Sequence, residues 1–421
     1  MCRIGGLVSA LLVCGILVGA DHTGGRSLDK DSTLVRIPLE HSDALNVHAV
    51  VQIGSAAATV VVDTGSSQIW VASSDCEKRS RQNDIEHFRV RYGSGDVTGR
   101  VIHDTLHFSD VLMIESLRMG CVERGSAPPI GADGVVGLGM EGLQHDAKSS
   151  DLLSMIRQTI APSQPLVFSI FISPDPTNHH YPPSQLIIGG VDEVLVGSEI
   201  EWHVFPVVPD TRTGRFGFWE IDVRAATLGT RSLTASLTAH PTAILDSGSS
   251  LILFPEPVFL QVVEELSQAV GQRFKCSQQT SAAFTTFDCV CRECNPTMFP
   301  SLVFEFGDDL KSQRFELKGV DYVWCGQHQR GQCVLLLDVD EDMQNGRVVL
   351  GTVFLRAFYT AFDFSTKQVS IACPAPQCRG GENPPLPARH ATALLDLHVV
   401  GRIVILVVVM ISSVVVIHRY L

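Results

Sequence analysis

The chain has 421 residues, with 32 Lys and Arg against 45 Asp and Glu, giving a formal charge of -13. That acidic balance argues against nucleic acid as a partner. With 35 Gly and 21 Pro, and with little helical periodicity, the sequence reads as many short strands joined by turns, a mostly β chain.

Residues 1–20 read as a secretory signal, with Arg3 near the start, an apolar stretch at 4–18 and the small-residue end Val18-Gly19-Ala20. Residues 21–45 form a short N-terminal region containing the strand pattern Leu34-Val35-Arg36-Ile37-Pro38-Leu39. Two lobes are expected after it, at 46–205 and 206–378, because the remaining chain suffices for two cores.

The first lobe carries Val60-Val61-Val62 followed by Asp63-Thr64-Gly65-Ser66-Ser67. Strand-like runs at 87–91 and 97–106 flank Tyr92-Gly93-Ser94-Gly95, the pattern of a hairpin with a glycine-rich tip. Gly134-Val135-Val136-Gly137-Leu138-Gly139 follows, then a helix pattern at 152–159. The second lobe repeats the theme: Ala243-Ile244-Leu245 precede Asp246-Ser247-Gly248-Ser249-Ser250, and Val348-Val349-Leu350-Gly351 lies downstream. A second helix is predicted over 255–270, with Val262, Val263, Leu266 and Val270 on one face. Each downstream run is expected to be a buried strand crossing under its Asp loop, with Gly where backbones meet.

Of 12 cysteines, Cys2 and Cys14 fall in the signal. The rest are Cys76, Cys121, Cys276, Cys289, Cys291, Cys294, Cys325, Cys333, Cys373 and Cys378, an even count that implies disulfides in an oxidising compartment. Cys289, Cys291 and Cys294 only superficially resemble a metal knuckle, so no metal or cofactor is expected. Residues 379–398, rich in Gly and Pro near their start, are expected to form a stalk. Residues 399–418 are expected to form a transmembrane helix, Arg402 snorkelling and the basic end facing the cytosol. This predicts a monomeric type I membrane protein with a lumenal or extracellular body. The rival is a lipid-anchor signal, for which Ala391, Thr392 and Ala393 supply small residues.

The duplicated Asp motif carries the chemistry. An apolar strand ending in Asp-[Thr/Ser]-Gly puts a carboxylate on a tight turn, where the glycine N–H and the next serine hydroxyl can hold it. Two such turns facing each other bring two carboxyls so close that both cannot ionise, and they share one proton. Such a pair can take a proton from water and give one to a carbonyl oxygen, which hydrolyses an amide without a covalent intermediate.

These residues resemble the pepsin-like aspartic proteases over residues 50–372. Val61 through Val71 resembles the first active-site loop, Tyr92-Gly93-Ser94-Gly95 the flap, and residues 243–251 the second loop. Residues 350–364 resemble the family's C-terminal signature. The resemblance implies a bilobal fold with pseudo-twofold related lobes, polypeptide substrates and endopeptidase activity. Asp63 and Asp246 become the catalytic pair, with Ser66 and Ser249 as supporting hydroxyls and Tyr92, steadied by Trp70, as the cover. Gly65, Gly93, Ser94, Gly248 and Ser250 would meet the substrate backbone, and Val135 would line an apolar subsite.

Some features depart from the family. Trp70 and Tyr92 are closer in sequence than is usual, and the small disulfide loop of that region cannot form around Cys76 alone. Cys121 is one candidate partner. The Pro-x-Gln turn expected between Gly54 and Asp63 is missing, and Thr352 stands where an acidic residue is common. The 34–39 segment resembles the opening strand of a prosegment without the helical part and its plugging lysine. It is therefore read as a fixed edge strand of the sheet between the lobes. The shortened first lobe also motivates an alternative, a catalytically inactive relative that binds peptides or proteins in the old cleft.

Overall fold

The apolar run before each Asp motif becomes a buried strand, Ala56–Asp63 in the first lobe and Thr242–Leu245 in the second. The structure is a computed structural model. It describes residues 34–41, 46–79, 86–92, 95–123, 131–144, 151–160, 164–176, 178, 180–196, 202–237, 240–280, 285–307, 312–325, 332–340 and 346–372. The expected signal (1–20), stalk (379–398) and membrane span (399–418) lie outside the described residues, as do Gly93, Ser94, Cys373 and Cys378. Among the described residues no helix is long and apolar enough to cross a membrane.

The fold is mostly β and bilobal. The two lobes repeat one local topology. In the first, Gly134–Gly137 runs parallel to Ala56–Asp63 and antiparallel to Ile69–Ser73, the strand that leaves the Asp63 loop. In the second, Arg347–Leu350 runs parallel to Thr242–Leu245 and antiparallel to Ile252–Phe254. Each crossing strand therefore passes beneath its own Asp loop, as the glycine pattern predicted. The reason for glycine is contact: a Cβ on Gly137 would press on the Ser66 and Gln68 backbone, and one on Gly351 on the Ser249 and Leu251 backbone.

A 13-stranded sheet joins strands of the N-terminal part of the chain to Val167–Phe171, Gln185–Ile188 and His203–Pro206 and to the C-terminal strands Tyr359–Asp363 and Gln368–Ala372. Strand Val35–His41 sits inside this sheet and not at its edge. It pairs with Gln185–Ile188 on one side and Val47–Ile53 on the other. The physical cause is backbone pairing: residues 35–38 bond to one neighbour and 39–41 to the other, so N–H and C=O groups that an edge would leave open are taken up, while Val35, Ile37 and Leu39 bury one face. Arg36 Nε donates to Asp192 Oδ2 at 2.8 Å and fastens the strand further.

The lobes are joined through buried aromatic packing. Trp219 Nε1 donates to Leu138 O at 2.8 Å, and the Trp219 ring packs against Phe168 and Phe362 at 5.5 and 5.2 Å between centroids. Both expected helices form, Leu152–Ile160 and Glu256–Val270. The second follows Pro255, buries Val258, Phe259, Val262, Leu266 and Val270, and stops at Gly271, whose φ of 76° favours glycine. Cys76, at the start of the short helix Cys76–Arg79, pairs with Cys121 of strand Leu112–Glu123 at a Cα separation of 5.4 Å. Cys289, Cys291 and Cys294 are spent on disulfides, with Cys276 paired to Cys289 and Cys291 to Cys294. Cys325 pairs with Cys333 on the same four-stranded sheet.

Candidate active site

Asp63 is the last residue of its strand and Asp246 follows directly on its own. Both are fully buried, at 1% and 0% exposure, and each carboxyl lies against the glycine of the opposite loop, close enough for the two to interact electrostatically. Each is held the same way by its own loop. Gly65 N–H donates to Asp63 Oδ1 at 2.8 Å and Ser66 Oγ to Asp63 Oδ2 at 2.5 Å. Gly248 N–H donates to Asp246 Oδ1 at 2.9 Å and Ser249 Oγ to Asp246 Oδ2 at 2.6 Å. The glycines also let the opposite carboxyl in. A Cβ on Gly65 would collide with the Asp246 carboxylate, and one on Gly248 with that of Asp63.

A second set of bonds, absent from the sequence-level reading, locks the loops together. Thr64 N–H donates to Ser247 Oγ at 3.1 Å, and Ser247 N–H to Thr64 Oγ1 at 2.9 Å. The same hydroxyls donate onward, Thr64 to Leu245 O at 2.8 Å and Ser247 to Val62 O at 2.6 Å. Each hydroxyl thus accepts once and donates once, across the lobe boundary. The signal was present in the sequence as a hydroxyl residue at the second position of both motifs. Ser247→Ala strands the Thr64 N–H and the Val62 carbonyl, both buried, and is expected to cost about 2 kcal/mol of stability. Ser247→Thr keeps the hydroxyl. Thermal melts should place it near the parent and well above the Ala variant; equal melting of all three would remove the clasp as a stabilising device.

Electrostatics follow from this burial. Desolvation raises the pKa of Asp63. Desolvation raises that of Asp246 well above the ordinary carboxyl range, and the neighbouring Asp63 charge pushes it further in the same direction. The Ser and Gly donors oppose the rise without cancelling it. Both shifts act in the same direction, favouring a pair that holds one proton where an ordinary carboxyl would have lost it.

The remaining expected residues distribute as follows. Trp70 is fully buried beside Val61, Val135, Phe88 and Val97 in an apolar cluster. Val135 lies in register with both Val61 and Trp70. Tyr92 ends strand His87–Tyr92, its backbone paired with Gly95, so the predicted hairpin forms, while its tip residues Gly93 and Ser94 lie outside the described residues. Ser250, expected to meet substrate backbone, donates its hydroxyl to Asn46 Oδ1 at 2.5 Å, a partner that sequence reasoning missed. Thr352 is buried with its N–H on Ser249 O at 2.7 Å, so the residue that departs from the family pattern sits against the Asp246 loop.

The sequence model of the family described as "Eukaryotic aspartyl protease" matches residues 48–374. Gastricsin of Mus musculus is 26% identical over 364 residues, covering 81% of this chain and 84% of the relative. Embryonic pepsinogen of Gallus gallus is 24% identical over 367 residues, covering 81% and 83%. Vacuolar protease A of Aspergillus fumigatus is 27% identical over 333 residues, covering 74% of each.

Proposed function

The chain belongs to the eukaryotic aspartyl protease family, and from that membership we propose that it is an active endopeptidase whose reaction centre is the Asp63–Asp246 pair. The observation that carries the reading is the pair itself: two buried, neighbouring carboxyls, each with its own serine and glycine donor. Degeneration of the site would have removed at least one member of this set.

The chemistry runs through one shared proton. The ionised carboxyl takes a proton from water as its oxygen attacks the peptide carbonyl carbon. The other carboxyl gives its proton to the carbonyl oxygen. The tetrahedral intermediate collapses as the leaving nitrogen takes the proton abstracted from water and the C–N bond breaks, while one of its hydroxyls returns a proton to the carboxyl that had given one, leaving acid, amine and a pair that again holds one proton. Asp63 and Asp246 perform all of these transfers, and the Thr64–Ser247 clasp keeps them at fixed separation. Gly65, Gly248 and the flap around Tyr92, Gly93 and Ser94 fit the role of holding an extended substrate backbone, which gives affinity while pockets give preference.

The disulfides and the digestive and vacuolar names of the relatives support a secreted or lumenal setting. Anchoring by residues 399–418 belongs to the same proposal and rests on their apolar sequence. The test is digestion of a peptide library by the purified protein from about pH 3 to about pH 7.5, the span of shared-proton carboxyl chemistry. Cleavage lost on Asp246→Ala supports the reading. Folded, oxidised protein that cleaves nothing leaves the peptide-binding alternative in its place.

A further inference from the structure

Strand Gln332–Leu335 lies between Thr285–Arg292 and Val323–Cys325, and its Cys333 has a cysteine opposite it on each side. The register partners are Cys291 on one neighbour and Cys325 on the other. Directly opposed residues of antiparallel strands point to the same face with Cα atoms about 4.5–5.5 Å apart, within the roughly 4.4–6.8 Å that a disulfide spans. The sheet uses this relation twice: Cys276 with Cys289, and Cys325 with Cys333, are register partners bonded at a Cα separation of 4.0 Å. Cys291 and Cys333 stand in the same relation without a bond. One sulfur takes one partner, so while Cys325 holds Cys333, Cys291 is joined to Cys294.

The two disulfides adjoin, with Cys333 Sγ 3.4 Å from the Cys294 carbonyl oxygen. Each joins a buried cysteine to an accessible one. Cys291 and Cys333 are 1% and 0% exposed, whereas Cys294 is half-buried and Cys325 exposed. An external thiol therefore reaches Cys294 or Cys325, and the sulfur that it displaces belongs to the buried, opposed pair. Cys291-Arg292-Glu293-Cys294 also has the two-residue spacing of reactive dithiols. Within it Glu293 has φ 54°, a left-handed conformation unfavourable for a residue with a Cβ, and opening the disulfide frees that turn.

We propose that Cys291, Cys294, Cys325 and Cys333 form a thiol–disulfide exchange site, independent of the hydrolytic centre, whose substrate is an external dithiol. A thiolate of the dithiol attacks Cys294 Sγ, the Cys291–Cys294 bond breaks, and Cys291 leaves as a thiolate. The second thiol of the reagent attacks the reagent sulfur of the mixed disulfide. The reagent departs as its own disulfide and Cys294 as a thiol, so two electrons have passed to the protein. The Cys291 thiolate then attacks Cys333 Sγ, the Cys325–Cys333 bond breaks, and Cys325 leaves. This last stage is an exchange without net oxidation or reduction, and the two protons of the dithiol end on Cys294 and Cys325. Entry at Cys325 reaches the same product through the Cys333 thiolate. The exchanged form ties the inner strands through Cys291–Cys333, releases the edge strand Val323–Cys325, and presents two accessible thiols.

The experiment treats the folded full-length protein with graded dithiothreitol at about pH 8, where thiolates are populated. Acid quenching, alkylation and mass spectrometry of disulfide-linked peptides then assign each sulfur. When one equivalent of dithiol has been consumed, Cys294 and Cys325 should be alkylated and a Cys291–Cys333 linked peptide recovered, with Cys76–Cys121 and Cys276–Cys289 intact. The double substitution Cys291→Ser with Cys294→Ser should slow alkylation of Cys325 at least about tenfold, because an internal thiolate held opposite its target outcompetes a dissolved one. An unchanged rate in the folded double variant overturns the proposal. In the parent, which decides the matter by itself if the variant does not fold, alkylation of Cys291 together with Cys294, or of Cys325 together with Cys333, overturns it. So does an untreated protein with Cys294 bonded to Cys333, or one in which Cys276–Cys289 opens before any of the four. An untreated protein already in the exchanged form upholds the site if oxidised dithiothreitol restores Cys291–Cys294 and Cys325–Cys333, and overturns it if not.

Discussion

Asp246→Asn is expected to abolish peptide hydrolysis and, at neutral pH, to raise the melting temperature of the protein it inactivates. The activity loss follows from the loss of a shared proton: an amide cannot stand in for the acid and then the base, so a fall of at least about 10³-fold is expected. The stability gain follows from the same burial that makes the site reactive. Both carboxyls have folded pKa values raised by desolvation, and Asp246 is raised further by the charge of Asp63. An acid with a raised folded pKa holds a proton more tightly when folded than when unfolded. Its destabilising cost is therefore full above the folded pKa and disappears as pH falls towards the unfolded value near 4. Asparagine keeps an oxygen for the Gly248 N–H and carries no charge, so it removes that cost. Melts of parent and variant should diverge at neutral pH and converge in acid, alongside a peptide assay. Retained activity would move the reaction centre elsewhere. A variant less stable than the parent at neutral pH would show that the pair is stabilised as two charges, contrary to the shared-proton account.

The parts of this site that the sequence revealed are those whose cause is local. Asp63 and Asp246 stand out because a strand, a tight turn and two hydroxyls follow one another without interruption, twice. The crossing strands at Gly134–Gly137 and Arg347–Leu350 were legible because close backbone approach demands glycine at a fixed place. The helix Glu256–Val270 announced itself through its apolar face and a proline at its entry. What stayed hidden depends on distant partners. Alternating burial in Val35–His41 marks a strand, but only the fold places it between Gln185–Ile188 and Val47–Ile53 and turns an expected edge into an interior position. The Thr64–Ser247 clasp joins residues of different lobes, and nothing in either motif alone says that its hydroxyl serves the other's backbone. The bond from Ser250 to Asn46 is of the same kind. Cysteine spacing left the pairing of Cys289, Cys291 and Cys294 open, because Cys289 is claimed by Cys276, its register partner on the adjoining strand, which leaves Cys291 to the nearby Cys294.

Asp338 was invisible in the sequence for that reason, and it supports the second large prediction: Asp338→Asn should stabilise the protein at pH 8 by up to about 4 kcal/mol and leave it nearly unchanged at pH 4. The residue lies in Leu337–Val339, parallel to the strand Ile252–Phe254 that leaves the Asp246 loop. Its Oδ1 accepts from Phe287 N–H at 3.0 Å and Val339 N–H at 2.8 Å, tying the four-stranded disulfide-bearing sheet to the second-lobe sheet. Burial raises its pKa from 3.8 to about 7, with Asp288 and Asp340 adding repulsion and the two N–H donors pulling the other way. At about 1.4 kcal/mol per unit, that rise gives roughly 4 kcal/mol of cost when the group is ionised in the fold. The sign matches the dyad: the cost is full above pH 7, declines as pH falls through the window, and is gone near pH 4. Asparagine preserves an Oδ1 for both donors, so the tie survives without the charge. Melts at pH 4, 6 and 8 on the Asp246→Asn background exclude self-digestion as a cause. A gain that grows with pH establishes Asp338 as a group that favours the fold in acid. A loss at pH 8 would mean that the carboxylate is held as an anion by its two N–H donors. Burial pushes the Asp63–Asp246 pair and Asp338 in the same direction, so both predictions share one sign: the fold gains as pH falls.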